Sequence, residues 1–250
     1  MTMLSVNLNK VALLRNARHV GVPNVCDAGR ICLQAGAGGI TVHPRPDQRH
    51  TRPDDVHELT ALLREAPGAE LNIEGNPFPE FLDLVRTIVP TQCTLVPDAP
   101  DVLTSDHGWD LAVDGLRLRL IIQELHDVGV RVSLFVEPDP AQIQRAKEIG
   151  ADRVELYTES YARAYGTNRE RAVLELFTRA ANKAHDVGLG VNAGHDLNLE
   201  NLGLLCGTIS NLAEVSIGHA LISHALDVGL EQAVCEYLSV LPPSVPLGRV

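Results

Sequence analysis

Short apolar runs rich in β-branched residues recur along the chain, and each is followed by a longer segment with apolar residues at helical spacing. Parallel strands have this continuous apolar character because crossover helices cover the sheet. The alternation therefore predicts eight parallel strands joined by helices. The predicted strands are Leu4–Asn9, Gly39–His43, Glu70–Glu74, Gln92–Pro97, Arg131–Val136, Arg153–Thr158, Leu189–Ala193 and Glu214–Gly218.

Eight evenly spaced strand and helix units favour a closed α/β barrel, a (β/α)8 TIM barrel with additional helices, formed by residues 1–250 as one catalytic domain. A doubly wound open sheet is the alternative, but no G-x-G-x-x-G turn supports it. Prolines predict helix starts at Pro53, Pro79 and Pro140. Glycines predict left-handed helix ends at Gly36, Gly129, Gly150 and Gly188.

Three connections are longer than a minimal barrel needs. They are Arg15–Asn24, Val96–Asp110, which is rich in Asp and Pro, and Tyr157–Asn168. Long loops in a compact domain often carry function. We therefore expect these joins to act as lids or subunit contacts.

Composition limits the class of partner. The net charge of −11 opposes binding to nucleic acid and to anionic membranes. No apolar run is long enough to span a bilayer, and the first residues lack a signal-peptide pattern, which predicts a cytoplasmic protein. The odd number of cysteines and the absence of a C-x-x-C pair predict reduced, buried thiols. These residues are Cys26, Cys32, Cys93, Cys206 and Cys235.

Polar side chains are concentrated where the predicted strands end. Catalytic groups of β/α barrels lie at the carboxyl ends of the strands, so side chains distant in sequence should meet there. Histidines and carboxylates in such a place suit general acid and base catalysis. Structural roles, such as helix capping or a buried ion pair of a glutamate with Arg45 or Lys10, are the alternative interpretation. The strand-end residues are Asn7, Asn9, His43, Arg45, Asn72, Glu74, Glu155, Asn192, His195, Ser216 and His219.

Two of these ends contain glycine, in AGHD at 193–196 and in IGHA at 217–220. Backbone N–H groups after the seventh and eighth strands of barrels commonly bind phosphate, so we expect a phosphate ester as ligand. A purely conformational role for Gly194 and Gly218 is the alternative. Cations that would attract an anionic substrate are Arg18, Arg45, Arg49 and His50, of which Arg18 and Arg49 could instead be ordinary surface charges.

Two other chemistries are open to the same residues. Lys10 directly follows the first predicted strand, where it could form a Schiff base as in an aldolase, although such lysines usually lie within a strand. The histidines could hold a metal, but neither an H-x-H pair nor a carboxylate cluster supports a metal site.

Five separated segments resemble the pyridoxine 5′-phosphate synthase family, in the same order and over almost the whole chain. They are VNLNKVALLRNAR at 6–18, GITVHPRPDQRH at 39–50, LNIEG at 71–75, VNAGHDLNLEN at 191–201 and SIGHALI at 216–222. The resemblance implies a barrel that condenses 1-deoxy-D-xylulose 5-phosphate with 3-amino-2-oxopropyl phosphate. It also implies a homo-octamer that uses neither a metal nor an organic cofactor.

The resemblance also implies roles for individual residues. It makes His43 and Glu74 general acids and bases, His195 a proton donor and Glu155 a stabiliser of a charged intermediate. The deoxyxylulose phosphate would contact Asn7, Arg45, His50 and Thr104. The aminoketone phosphate would contact Arg18, the backbone at Asp196, Gly218 and His219.

The chain departs from the family pattern at three of these positions. The family typically has Asp and His where Asn9 and Lys10 stand, at the place of the substrate hydroxyls, and Gly in place of Asp196. A carboxylate would repel phosphate. We therefore expect the Asp196 side chain to point away from the mouth and to cap the next helix. Other phosphosugar enzymes, namely an isomerase or a lysine-dependent aldolase, and a phosphate-ligand sensor without turnover remain the alternative functions.

Overall fold

The computed structural model describes residues 2–18, 20–99, 105–209 and 211–242. Eight parallel strands close into a barrel in sequence order, so the predicted fold is confirmed. The strands are β1 (Met3–Asn7), β2 (Gly39–Val42), β3 (Glu70–Gly75), β4 (Gln92–Leu95), β5 (Arg131–Val136), β6 (Arg153–Leu156), β7 (Gly190–Ala193) and β8 (Leu212–Ile217).

Closure takes place at β1, which pairs with two neighbours. Ser5 lies opposite Gly39 of β2 and opposite Ser216 of β8. The pairing between β7 and β8 shifts register between Val191 and Asn192. Because every strand has two partners, the backbone hydrogen bonds of the sheet are satisfied without an exposed edge.

Helices surround the barrel. Two of the connections between strands, and the segment after β8, each contain two helices. The helices are α1 (Asn9–Asn16), α2 (Val25–Gln34), α3 (Pro53–Arg64), α4 (Pro79–Ile88), α5 (Gly115–Asp127), α6 (Pro140–Glu148), α7 (Glu159–Ala164), α8 (Glu170–Val187), α9 (Leu202–Thr208), α10 (His219–Val228) and α11 (Leu230–Ser239). Two helices lie between β1 and β2, two between β6 and β7, and two after β8. The additional helices predicted from the sequence are thus present.

The local signals for helix ends are confirmed. Helices α3, α4 and α6 each have proline in their first turn, where the missing N–H costs nothing. The four predicted glycines all have positive φ, for example +74° at Gly188, which ends α8. Two short helices were not predicted from the sequence. Lys10 lies in the first turn of α1, and the segment Tyr157–Asn168 contains α7.

The strands separate an apolar layer from a polar interior. Val6, Ile40 and Ile73 are fully buried beneath the helices. The alternate residues face inward, where Ser5 hydrogen-bonds Thr41 at 2.7 Å. Other bonds join strands that are not neighbours and must therefore cross the barrel. Two examples are Gln92 to Glu214 at 3.1 Å and Asn192 to Gln92 at 3.3 Å.

All five cysteines are unpaired, and Cys32, Cys93 and Cys206 are buried as predicted. The prediction is wrong for Cys235, which is exposed on α11, and Cys26 is only partly buried. Within the described residues, none of the helices has both the length and the apolar character that crossing a bilayer requires.

Candidate active site

The carboxyl ends of the strands surround a cavity of about 490 Å³. Most of the residues predicted for the site line it, from six strands and the loops that follow them. Arg18 is exposed and is not among the lining residues, and Thr104 lies outside the described residues. The predicted residues that line the cavity are Asn7, Asn9, Lys10, His43, Arg45, His50, Glu74, Glu155, His195, Asp196, Gly218 and His219.

Two carboxyl groups enter the cavity, the partly buried Glu74 from β3 and the buried Glu155 from β6. Burial, together with the negative charges of Asp98 and Glu214, raises the pKa of Glu74 to about 8. Burial and the charges of Glu74 and Glu214 raise the pKa of Glu155 well above its usual range. Burial and the neighbouring carboxylates therefore favour the protonated form of both groups, which can give a proton to a substrate and take it back.

Each glutamate is held by a strand that is not its own. Asn7 of β1 donates a hydrogen bond to Oε2 of Glu74 at 3.3 Å. Glu155 packs so closely against β7 that a Cβ at Gly194 would lie 2.9 Å from its Oε1. Its Oε2 is buried and accepts no hydrogen bond from the described residues. A substrate cation or donor would satisfy that oxygen.

His43 is buried at the end of β2. Burial, followed by the charges of Arg45, His50 and Arg49, lowers the pKa of His43 well below its usual range. The imidazole is therefore neutral near pH 7 and can accept a proton. The backbone N–H of His43 donates to Oδ1 of Asn9 at 2.9 Å, and the hydroxyl of Thr51 donates to the same oxygen at 2.8 Å. Asn9 thus holds the segments of His43 and Thr51 together.

Positive charge lies beside His43. The Arg45 guanidinium is buried and forms an ion pair with Asp98, which also accepts a hydrogen bond from the Ser105 hydroxyl at 2.8 Å. Burial and the charges of Arg45, Lys10 and Arg49 lower the pKa of His50 to about 4. Its Nδ1 is buried without a hydrogen-bond partner in the described part of the chain. These groups can offer donors and charge to one phosphate.

The second glycine-bearing strand end leads directly into a helix N-terminus. Gly218 precedes α10, whose first residue is His219, so the N-terminus of this helix opens at the mouth. A Cβ at Gly218 would lie 3.2 Å from Cβ of Asn7, which explains why a larger residue is disfavoured there. Helix N-termini offer N–H donors and a positive dipole end to phosphate.

His195 lies at the mouth, two residues after the end of β7. Its backbone carbonyl accepts a hydrogen bond from the Thr158 hydroxyl, and its ring meets the Tyr157 ring edge-on at 5.2 Å. The carboxylate of Asp196 lies 3.0 Å from Nδ1 of His195. The expectation that Asp196 points away and caps a helix is therefore wrong.

The sequence profile of the family described as "Pyridoxal phosphate biosynthesis protein PdxJ" matches residues 4–242. The chain belongs to this family. The resemblance found in the five separated motifs is therefore confirmed.

Curated relatives within the PdxJ family are similar over nearly their whole length. The protein of Albidiferax ferrireducens is 53% identical over 95% of this chain and 96% of its own. That of Xanthomonas axonopodis pv. citri is 52% identical over 96% of each chain, and that of Bacteroides fragilis is 53% identical over 96% of this chain and all of its own. All three are named pyridoxine 5′-phosphate synthase.

Solved structures of much lower sequence identity also have the barrel fold. Tryptophan synthase from M. tuberculosis has a TM-score of 0.64 at 13% identity, covering 97% of this chain and 93% of that one. Phosphoribosylanthranilate isomerase from Thermotoga maritima has a TM-score of 0.58 at 13% identity, covering 96% and 98%. At such low identity these likenesses establish the fold alone.

Four residues that the sequence interpretation left without a role support the PdxJ site. Thr51 and Asp98 bind Asn9 and Arg45, and Tyr157 and Thr158 contact His195. Asp98 could have been found from its position just after β4. Tyr157 and Thr158 have the same signal, since they directly follow β6, whereas Thr51 lies too far from β2 for its contact with Asn9 to be predicted.

Lys10 lines the cavity from the first turn of α1 and not from within a strand. Among the described residues, no three His, Cys, Asp or Glu side chains come together in a group that could hold a metal ion.

Proposed function

We propose that the cavity condenses 1-deoxy-D-xylulose 5-phosphate with 3-amino-2-oxopropyl phosphate to give pyridoxine 5′-phosphate, phosphate and water. The reaction joins an amine to a ketone, removes water and phosphate, and closes an aromatic ring. Each of these steps moves a proton at carbon, nitrogen or oxygen. One acid or base cannot serve them all, which is why several titratable groups are needed at one place.

The acid and base roles follow from the surroundings of each group. Neutral His43 accepts a proton, and Glu74, with its pKa near 8, both donates and accepts. His195 donates a proton to a leaving oxygen. Glu155 stabilises the cationic intermediate that forms when the amine condenses with the ketone, since its unpartnered oxygen becomes charged and paired there.

Two anion sites receive the two phosphates. We assign the deoxyxylulose phosphate to Arg45, His50, Asn7 and Thr104, with its hydroxyls near Asn9 and Lys10. We assign the aminoketone phosphate to the N-terminus of α10, to the backbone N–H of Asp196 and to Arg18. A bound dianion would favour protonation of His50 and strengthen its own binding.

One observation carries the proposal. His43, Glu74, Glu155 and His195 come from four different strands, at positions spread over most of the chain, and all four line the same cavity. Holding two phosphorylated substrates between such groups replaces chance encounters by a fixed geometry.

The test is to mix the purified protein with both substrates and to follow the pyridine product by its absorbance. We expect turnover by the wild type, and His43→Asn and Glu74→Gln should each lower kcat by about 100-fold or more. Glu175→Gln and His185→Asn are matched controls on the outer helix α8 and should leave kcat unchanged. Turnover of both site variants within about twofold of the wild type would contradict the assignment.

We also propose that the protein works in the cytoplasm as a homo-octamer. Five unpaired cysteines support a reducing compartment. Exposed apolar side chains on the outer helices, such as Leu116 and Leu120 of α5, support self-association.

A further inference from the structure

The backbone at Asp196 has a shape that usually requires glycine. The N–H of Leu197 donates to the carbonyl of Gly194 at 3.2 Å, which closes a β-turn with His195 and Asp196 at its centre. Asp196 has φ of +64°, the third-position conformation of a type II turn. Glycine adopts this conformation without strain, whereas aspartate does so at a cost. A strained residue at an active site is a sign of a role for its side chain.

The carboxylate of Asp196 has a partner in the cavity. It lies 3.0 Å from Nδ1 of His195. The hydrogen bond from His195, together with the positive charges of His195, His219 and Arg163, lowers the pKa of Asp196 despite partial burial. The group is therefore ionised near neutral pH and can only accept a hydrogen bond. It follows that Nδ1 of His195 carries a proton.

Two further contacts restrain the orientation of His195. Thr158 binds its carbonyl, and Tyr157 packs against the ring at 74°. The turn itself is anchored by the buried Asn201, whose amide donates to the Asp196 carbonyl at 3.3 Å. Because Asp196 holds the Nδ1 proton, the proton that His195 exchanges with a substrate is the one on Nε2.

We propose that Asp196 is a positioning residue that fixes the ring orientation and the tautomer of His195, so that Nε2 is the atom that exchanges a proton with the substrate. The imidazolium gives its Nε2 proton to a leaving oxygen, so the N–H bond breaks and an O–H bond forms. The neutral ring keeps its Nδ1 proton on Asp196 throughout. This inference rests on the proposed function only in taking His195 as the proton donor.

The first test reads the tautomer without any substrate. Magic-angle-spinning NMR of protein labelled with 15N histidine distinguishes protonated from unprotonated ring nitrogens, whatever the size of the protein assembly. The signals of His195 are assigned as those lost in His195→Gln. We expect the neutral ring to carry its proton on Nδ1 in the wild type. Asp196→Gly should give a mixture of both tautomers, and Asp196→Asn, which keeps an acceptor oxygen, should stay close to the wild type. A wild-type ring protonated on Nε2, or the same spectrum in Asp196→Gly, would overturn the proposal.

The second test separates positioning from binding. Asp196→Gly keeps the backbone N–H that is assigned to phosphate and removes a negative charge, so KM for the aminoketone should not rise. We expect kcat to fall at least about tenfold, as for other residues that orient a catalytic histidine. The unfolding temperature should stay equal or rise, because the turn is relieved of strain. Full kcat in Asp196→Gly would reject the positioning role.

The two tests fail in different ways. Absence of product with the wild type would reject the proposed function and with it the catalytic half of the inference. The NMR experiment would still decide whether Asp196 fixes the ring of His195.

Discussion

At the level of single residues, Glu74 links the chemistry of the site to the stability of the fold. Its pKa of about 8 in the folded chain compares with an ordinary value of 4.5. A raised pKa means that protonation favours the folded state, so this contribution is complete below about pH 4.5 and is lost as the pH rises through about 8. The fold keeps a group that works against it at neutral pH, which supports the proposed role of Glu74 as an acid and base.

Glu74→Gln should therefore stabilise the protein in a pH-dependent way. The amide fills the same space without ever ionising, so the unfolding temperature of the variant should exceed that of the wild type by an amount that grows from about pH 5 to about pH 8. Thermal unfolding across this range measures it, with Glu175→Gln on α8 as the control for the substitution itself. A difference that shrinks with rising pH would show that the carboxyl group of Glu74 is not shifted upward.

The sequence identified residues of the site through their place at strand ends, but not through their contacts. Glu74 and His195 follow from the strand pattern, because every parallel strand of a barrel ends at the same mouth. The direction of Asp196 does not follow, since a short loop side chain turns towards whichever partner its turn geometry allows. The pairing of Asp98 with Arg45 depends likewise on how two loops pack.

At the level of elements, the predicted strands and their observed ends differ by only one or two residues, because burial on both faces makes their sequences unambiguous. Helices α1 and α7 were missed. Neither has a side-chain cap or a proline at its start, and α7 has only six residues. Short helices are stabilised by packing against neighbours, which a local pattern does not record.

Two helix ends provide a matched test of backbone strain. Val89 ends α4 with φ of +52°, and Val128 ends α5 with φ of −99°. Both side chains are partly exposed, at 47% and 39%. Val89→Gly should raise the free energy of unfolding by about 1 kcal/mol, because a β-branched residue is disfavoured in the left-handed region. Val128→Gly should lower it by about 0.5 to 1 kcal/mol, since glycine there only adds entropy to the unfolded chain. Chemical denaturation measures both, and equal effects of the two changes would contradict the strain at Val89.

At the level of the whole molecule, an acidic protein has to concentrate its cations where anionic substrates bind. The net charge is −11, yet Arg45, Lys10 and four of the ten histidines gather at one end of the barrel. The closed sheet makes this possible, because it brings the ends of strands from the whole chain to one mouth. Composition alone therefore does not show where these cations lie, whereas the fold brings them to one mouth.

The outer surface bears on the proposed homo-octamer. Val113, Leu116 and Leu120 are 77%, 84% and 75% exposed, and the two leucines lie four residues apart on α5, where they share one face. Exposed apolar side chains grouped in this way favour a protein contact, which in a homo-oligomer is made with a second copy.

We expect light scattering of the wild type to give eight times the chain mass of 27.0 kDa. Replacing Leu116 and Leu120 together by Ser should lower that mass, because little of either side chain packs within its own subunit. Arg119→Ser, on the same helix, controls for the loss of an exposed side chain. A wild-type mass of a single chain would reject the octamer, and an unchanged mass in the double variant would exclude α5 from the contact.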